Sequence, residues 1–355
     1  MSHIIISGVE KKASLNELKK TIKDVFLQAT NNLSWLKPGQ TVLLKPALNS
    51  NNTYPATCHP LLVSVLKKTI EEYGGKVIIG DQSGVESVVN NQHGVIKGSS
   101  ANNFENSNMG KKESFTAFET ADWDIGFKLY KSDLAKSWPN GFYYTKYVDK
   151  ADHFINLSRL STHAQAGITG TFKNLVGILR TDSRLDFHNN GPFNDVIQKH
   201  AKGANLNIPD DNSNSFIEKI TEISLAVKDK LRLNMCVGTQ AQVTLGPDRK
   251  IGIFKSHVVE PDFGLTFASP DPIATEIIAT AELTRLYKKI NFTHKLLQKY
   301  LIFLNKTIIE LGKYAPKDSL FVEHAIKLEL GNPNFEIKYI NVPAEIQQEL
   351  NELIK

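Results

Sequence analysis

Two short apolar runs flanking a sharply punctuated helical segment constrain this 355-residue chain more than any other feature. Thr41-Val-Leu-Leu ends at Lys45-Pro46, and Lys76-Val-Ile-Ile-Gly closes on Asp81. Between them Pro60 suits a first helical position, Leu61, Val65, Leu66 and Ile70 give one apolar face, and Gly74-Gly75 ends it. Strand, apolar helix, strand is the pattern of a βαβ unit, whose two strands lie parallel in a covered sheet. Ile4-Ile5-Ile6 and Ala151-Asp-His-Phe-Ile-Asn-Leu-Ser read as further strands, and 15–34 has helical spacing. The expected fold is α/β, with a parallel-sheet N-terminal domain over 1–204, a linker over the Asn- and Asp-rich 205–215, and a smaller α/β domain over 216–355. In that second part helices are expected near 216–231, 273–288 and 295–312, strands near 233–237, 242–245 and 264–268, and helix, strand, helix over 320–355. A polar helix is expected near 193–201. Residues 82–112, rich in Gly, Ser and Asn, read as a long loop and a candidate lid.

Composition narrows the function. No window approaches 18 uninterrupted apolar residues, so neither a transmembrane helix nor a membrane partner is expected. The first residues lack a basic n-region and a long apolar core, which points to a cytoplasmic protein. Two cysteines, Cys58 and Cys236, are too few for a disulfide framework, a Cys₄ zinc site or an iron–sulfur cluster within one chain. The net charge is +5, and the 42 basic residues include only six arginines among dispersed lysines. That is a solvated surface rather than a nucleic-acid footprint.

The chemistry concentrates in residues 153–191. Three of the six arginines, Arg159, Arg180 and Arg184, lie there, and the guanidinium fork suits carboxylates and phosphates. Thr169, Gly170 and Thr171 precede an apolar helix expected over 172–179, which leaves backbone N–H groups for an anion. Lys173 sits among Phe172, Leu175 and Val176, where an apolar setting lowers a lysine pKa and makes it a base or nucleophile. Each feature has an ordinary reading: the turn as an N-cap, the lysine reaching solvent, His163 and His188 merely buried or exposed, Arg180 and Arg184 pairing with Asp182 and Asp186. Together they point to a small-anion site. Strand ends add to it, because ligands of doubly wound sheets sit beyond the carboxyl ends of the strands. Lys45, Asp81 and Arg159 with His163 follow three such strands, and His59 precedes the crossover helix. The expected site has Lys173, His163 and His188 as acid–base groups, with Lys45, Arg159, Thr169, Gly170, Thr171, Asn174 and Arg180 binding a carboxylate or phosphate. A divalent metal on His188 and Asp81 is left open and needs further donors. A non-catalytic small-anion or cofactor-binding protein uses the same pocket and is the alternative.

Several stretches resemble the DUF362 family of uncharacterised prokaryotic proteins. They are Lys37-Pro-Gly-Gln-Thr-Val-Leu-Leu-Lys-Pro-Ala-Leu, His59-Pro-Leu-Leu-Val, Gly74-Gly-Lys-Val-Ile-Ile-Gly-Asp, Asn156-Leu-Ser-Arg-Leu-Ser-Thr-His, Thr169-Gly-Thr-Phe-Lys-Asn-Leu-Val-Gly and Ala268-Ser-Pro-Asp-Pro-Ile-Ala-Thr-Glu. The chain departs from the family pattern at Ala47, where asparagine follows Lys-Pro, and at Glu276, where the last motif ends in aspartate. An aspartate expected near Asn234 is missing, and so is the ferredoxin-like cysteine cluster that many relatives carry. A looser resemblance is to the nickel-pincer lactate racemases, in the order of His163, Lys173 and His188. It implies that Lys173 contacts a ligand, His188 binds metal and His163 serves as acid or base.

Overall fold

The largest sheet has eight strands, beside a four-stranded sheet and three two-stranded ones among the described residues. In chain order the eight are β1 (Ser2–Glu10), β2 (Thr41–Pro46), β3 (Lys76–Asp81), β4 (Thr116–Ala117), β5 (His153–Leu157), β6 (Leu231–Gly238), β7 (Phe263–Ser269) and β8 (Phe335–Ile340). Their spatial order is β8-β1-β7-β6-β5-β2-β3-β4. Every neighbouring pair is parallel except the two that β7 makes, with β1 and β6. The computed structural model describes residues 2–189, 194–206, 208, 215–251, 254–304 and 308–355.

Both faces of the sheet are covered, which is why its strands read as unbroken apolar runs. Val42 and Leu44 of β2 and Ile155 and Leu157 of β5 pack against Leu18, Ile22 and Phe26 of the Leu15–Ala29 helix and Leu62, Leu66 and Ile70 of the Pro60–Glu72 helix. Leu43 and Phe154 point to the other face, toward Phe172, Ile220, Ile273 and Ile277. The Pro272–Lys289 helix on that side is buried from Pro272 to Tyr287. Its Asp271 N-cap accepts from the N–H groups of Ile273 and Ala274, as Asp-Pro at a helix start requires.

Several sequence expectations need correction. Strands on both sides of 205–215 interleave in one sheet: β1 lies between β8 and β7, so the main sheet does not separate along 1–204 and 216–355. Most of the expected linker lies outside the described residues. The stretch 82–112 is not a plain loop; it holds a hairpin (Val89–Asn91 with Gly94–Lys97) and a helix, Ser100–Asn106, capped by Ser99. That helix reads Ser-Ala-Asn-Asn-Phe-Glu-Asn and carries no apolar periodicity to betray it. The expected 216–231 helix is a helix over Phe216–Glu222 and a 3₁₀ turn over Ile223–Ala226, and the expected 295–312 helix runs over Phe292–Leu304. Among the described residues no helix is long and apolar enough to cross a membrane.

Candidate functional site

The chain continues from β2 to β3 on one side and from β5 to β6 on the other, while β2 and β5 are neighbours. Their carboxyl ends therefore flank the point where connections diverge, the usual ligand crevice of an open α/β sheet. A cavity of about 470 Å³ lies there. Lys45, Asp81, Arg159, His163, Thr169, Lys173, Asn174 and His188 all line it. These are eight of the sequence-expected groups, drawn from three strand ends, a hairpin and two helices.

Lys45, the penultimate residue of β2, is buried and ion-paired to Asp81 at the end of β3, Nζ to Oδ1 2.9 Å. Its Nζ also donates to Asn174 Oδ1 (3.0 Å) and to the Pro46 carbonyl (3.0 Å). Burial pushes the Lys45 ammonium down and the Asp81 carboxyl up, and each charge holds the other against that drift. Asn174 is fixed from below: its Nδ2 donates to Asn156 Oδ1 (2.7 Å) and the Leu157 carbonyl (3.2 Å). Asn156 in turn donates to the Thr171 carbonyl (2.9 Å) and Asn234 Oδ1 (3.1 Å). Gly177 closes over the ion pair; a Cβ there would lie 1.7 Å from Asp81 Oδ1 and 2.7 Å from Lys45 Nζ.

Arg159 follows β5 and is buried, yet among the described residues only one of its three nitrogens has a protein partner. NH2 donates to Thr169 Oγ1 at 3.3 Å, while Nε and NH1 have none. Burial lowers its pKa to about 10, so it stays charged at neutral pH. The Asp248 carboxylate, which also lines the cavity, supports the charge from a distance, but among the described residues no carboxylate hydrogen-bonds to the guanidinium, and a buried cation so placed is costly unless an anion completes it.

Lys173 lies half-buried on the cavity wall, its Nζ 5.2 Å from the centre of the Phe187 ring. Among the described residues no carboxylate pairs with it. Burial, and then the charges of Arg184, Arg159 and Lys45, push its pKa down from 10.5 to about 7.

The histidines are neutral. His163, on the Ser161–His163 strand of a hairpin with Gly167–Thr169, accepts through Nδ1 from the N–H groups of Gln165 (3.2 Å) and Ala166 (3.3 Å). An Nδ1 that accepts two N–H groups carries no proton, so the neutral ring holds its hydrogen on Nε2. Burial and the nearby cations keep His163 and His188 well below the ordinary range. His163 is thus a hydrogen-bond donor rather than a proton acceptor. His188 lies tilted against Phe187, ring centres 4.2 Å apart, and its buried Nδ1 has no partner among the described residues.

Three expected binders and two other expectations are placed otherwise. Gly170 and Thr171 do not line the cavity. The turn does hold an anion, but an internal one: Thr171 N–H donates to Glu276 Oε2 at 2.5 Å, and a Cβ at Gly170 would lie 2.4 Å from that oxygen. Arg180 also faces away. It grips Asp182 through two nitrogens (3.0 and 2.6 Å) and stacks between Trp123 and Tyr143. As for a metal, Asp81 is taken by Lys45, and among the described residues no three His, Cys, Asp or Glu side chains gather as a metal site. His59 caps the Pro60–Glu72 helix through Nδ1 and lies off the cavity.

Sequence reasoning also missed one wall residue. Arg184 does not pair with Asp186, which binds Lys219 instead (2.6 Å). It donates to the carbonyls of Leu179, Ser83, Gln82 and Gly177, tying the segment after β3 to the segment after Lys173. Its spacing of two residues from Asp182 and four from Arg180 and His188 gave no signal for contacts to the Gln82 and Ser83 carbonyls about a hundred positions away.

Glu276 yields a stability prediction. Burial raises its pKa from 4.5 to about 7, against the N–H groups of Thr171 and Phe172. The folded state holds this proton more tightly than the unfolded chain. The contribution is therefore full below about pH 4.5 and lost as pH rises through about 7. Glu276→Gln keeps an acceptor for the turn and removes the titration. Urea melts at pH 5 and pH 8 should show the wild type falling relative to the variant by about 1–2 kcal/mol. Parallel behaviour of the two proteins would refute this assignment.

The fold and the crevice define a doubly wound α/β protein with a positively charged cavity at the strand switch point. The chain belongs to the DUF362 family, described as a domain of unknown function, whose profile matches residues 42–281. It is 26% identical over 249 residues to a thylakoid-associated protein of Synechocystis sp., an alignment covering 70% of this chain and 64% of that one. The chain thus matches less than two thirds of that relative's length. No solved structure matches. These matches give no support to the looser resemblance to lactate racemases.

Proposed function

We propose that the cavity binds a small anionic substrate, a carboxylate or phosphate ester, and that Lys173 moves a proton on it. The observation that carries this reading is the pairing of two groups in one hollow: Arg159, charged and, among the described residues, with two unpartnered donor nitrogens, and Lys173, poised near pH 7 with no described carboxylate paired to it. Arg159 is the anion anchor. The neutral Lys173 amine takes a proton from the carbon next to a bound carboxylate: the C–H bond breaks, an N–H bond forms, and the electron pair moves into an enolate. In this reading Arg159 and the Nε2–H of His163, which line the same cavity, stabilise that developing negative charge. Return of the proton completes an exchange or isomerisation without any other reactant.

A non-catalytic anion carrier is the second reading. It is favoured by His163 and His188, both held neutral and therefore unable to relay a proton near pH 7. Incubation with succinate, malonate and a set of 2-hydroxy acids in D₂O, followed by NMR, separates the two. The enzyme reading expects deuterium at the carbon beside the carboxylate, lost in Lys173→Met. Saturable binding of a carboxylate with no exchange would leave the carrier.

A further inference from the structure

We propose that the Phe292–Leu304 helix docks flat on an anionic bilayer surface. Phe292 (62% exposed), Leu296 (49%), Tyr300 (57%) and Phe303 (76%) stand out from this single 13-residue helix. At 100° per residue they fall within roughly 80° of arc, so they form one stripe. Isolated exposed apolar residues are ordinary, but a contiguous stripe marks an interaction face. The opposite side rests on the protein, as buried Gln298 shows.

Charge decides the occupant. Residues 283–309 contain no aspartate or glutamate. Arg285 and Lys289 are neutralised by Glu282 and Glu349, so the charge next to the stripe comes from Lys295 and Lys299. Lys299 lies beside the stripe, its ammonium 5.7 Å from the Phe292 ring centre, and Lys295 lies next to it, over Tyr287. Among the described residues neither pairs with a carboxylate. An apolar stripe edged with lysines and free of acidic groups is the form of an interfacial helix, its aromatics among acyl chains and its ammonium groups at anionic headgroups. The sequence expectation of no membrane contact rested on the lack of a spanning segment, which a helix lying in the interface does not need.

The test is co-sedimentation of the full chain with phosphatidylcholine vesicles, with and without about a third phosphatidylglycerol. The expected result is binding to the anionic vesicles at low salt. It should weaken at least about tenfold in 0.5 M salt, in Phe292→Ser/Phe303→Ser, and in Lys295→Glu/Lys299→Glu. Circular dichroism melts should leave both exposed-site variants folded. Failure to sediment with anionic vesicles would overturn the proposal. So would equal binding by wild type and variants, or a concentration-dependent dimer that Phe303→Ser disperses, which would assign the stripe to a second copy.

Discussion

Lys173→Met is expected to make the protein more stable and to abolish the proton uptake that accompanies anion binding. Depression of the Lys173 pKa from 10.5 to about 7 corresponds to an upper limit on the order of 5 kcal/mol, at about 1.4 kcal/mol per pH unit. Water in the cavity screens part of that cost, leaving about 2 kcal/mol. Below pH 7 both states are protonated and the folded state bears the full penalty. Between pH 7 and 10.5 the unfolded chain binds the extra proton, so wild-type stability rises across that window. Methionine removes the ammonium and keeps the length. At pH 6 the variant should melt about 3 °C higher, and the advantage should fade as pH approaches 10.5. Scanning calorimetry at pH 6, 8 and 9.5 measures it. A variant less stable than wild type at pH 6 would mean that Lys173 is a structural residue.

Gly177→Ala is expected to have the opposite effect and a larger one. The new methyl would occupy the space between Asp81 Oδ1 and Lys45 Nζ, at 1.7 and 2.7 Å. Backbone cannot yield easily there, since the Gly177 carbonyl accepts from Arg184 NH2 at 2.8 Å and from the Gln82 N–H at 3.3 Å. The ion pair must open, leaving two buried charges uncompensated, a loss of about 3–5 kcal/mol. Urea denaturation should show it. Asp81→Ala alone should be harmful as well, because Lys45 then lacks its carboxylate, but in the Asp81→Ala background the further cost of Gly177→Ala should shrink to about 1 kcal/mol. If alanine at 177 costs under about 1 kcal/mol in the wild type, the pair is not the packed unit described above.

Period and punctuation made the strand–helix–strand unit legible, and with it the rim. Because Lys45 and Asp81 end adjacent parallel strands, and Arg159 follows the next one, their convergence follows from the αβ pattern alone. His163, Lys173 and His188 were readable by proximity to that rim in sequence. The fate of Gly170 and Thr171 was not. A helix N-terminus calls for an anion, but Glu276 lies 105 positions away, and nothing local tells an internal carboxylate from a bound one. Arg180 and Arg184 are equally indistinguishable in sequence, although one is sealed by Asp182 between two rings and the other holds four carbonyls. The interleaving of β7 and β8 with β1 escaped for a similar reason. Pairing between distant strands depends on which faces remain uncovered once the local units form, and a single strand's alternation does not encode its neighbour. The link between Thr171 and Glu276 also gives the Thr169-Gly-Thr-Phe-Lys-Asn and Ser269-Pro-Asp-Pro-Ile-Ala-Thr-Glu stretches a shared physical role: the second fixes the turn that presents Lys173.

The central claim is that Arg159 and Lys173 make one anion site. Isothermal titration of the protein with sulfate and with malonate at pH 7.5, each in two buffers of different ionisation enthalpy, tests it most directly. A bound anion favours the Lys173 ammonium, so binding should draw a fraction of a proton from the buffer and tighten as pH falls toward 6. Arg159→Met should abolish the binding, and Lys173→Met should abolish the proton uptake. Absence of saturable binding by either anion, or binding that both variants retain with unchanged proton uptake, would contradict the account.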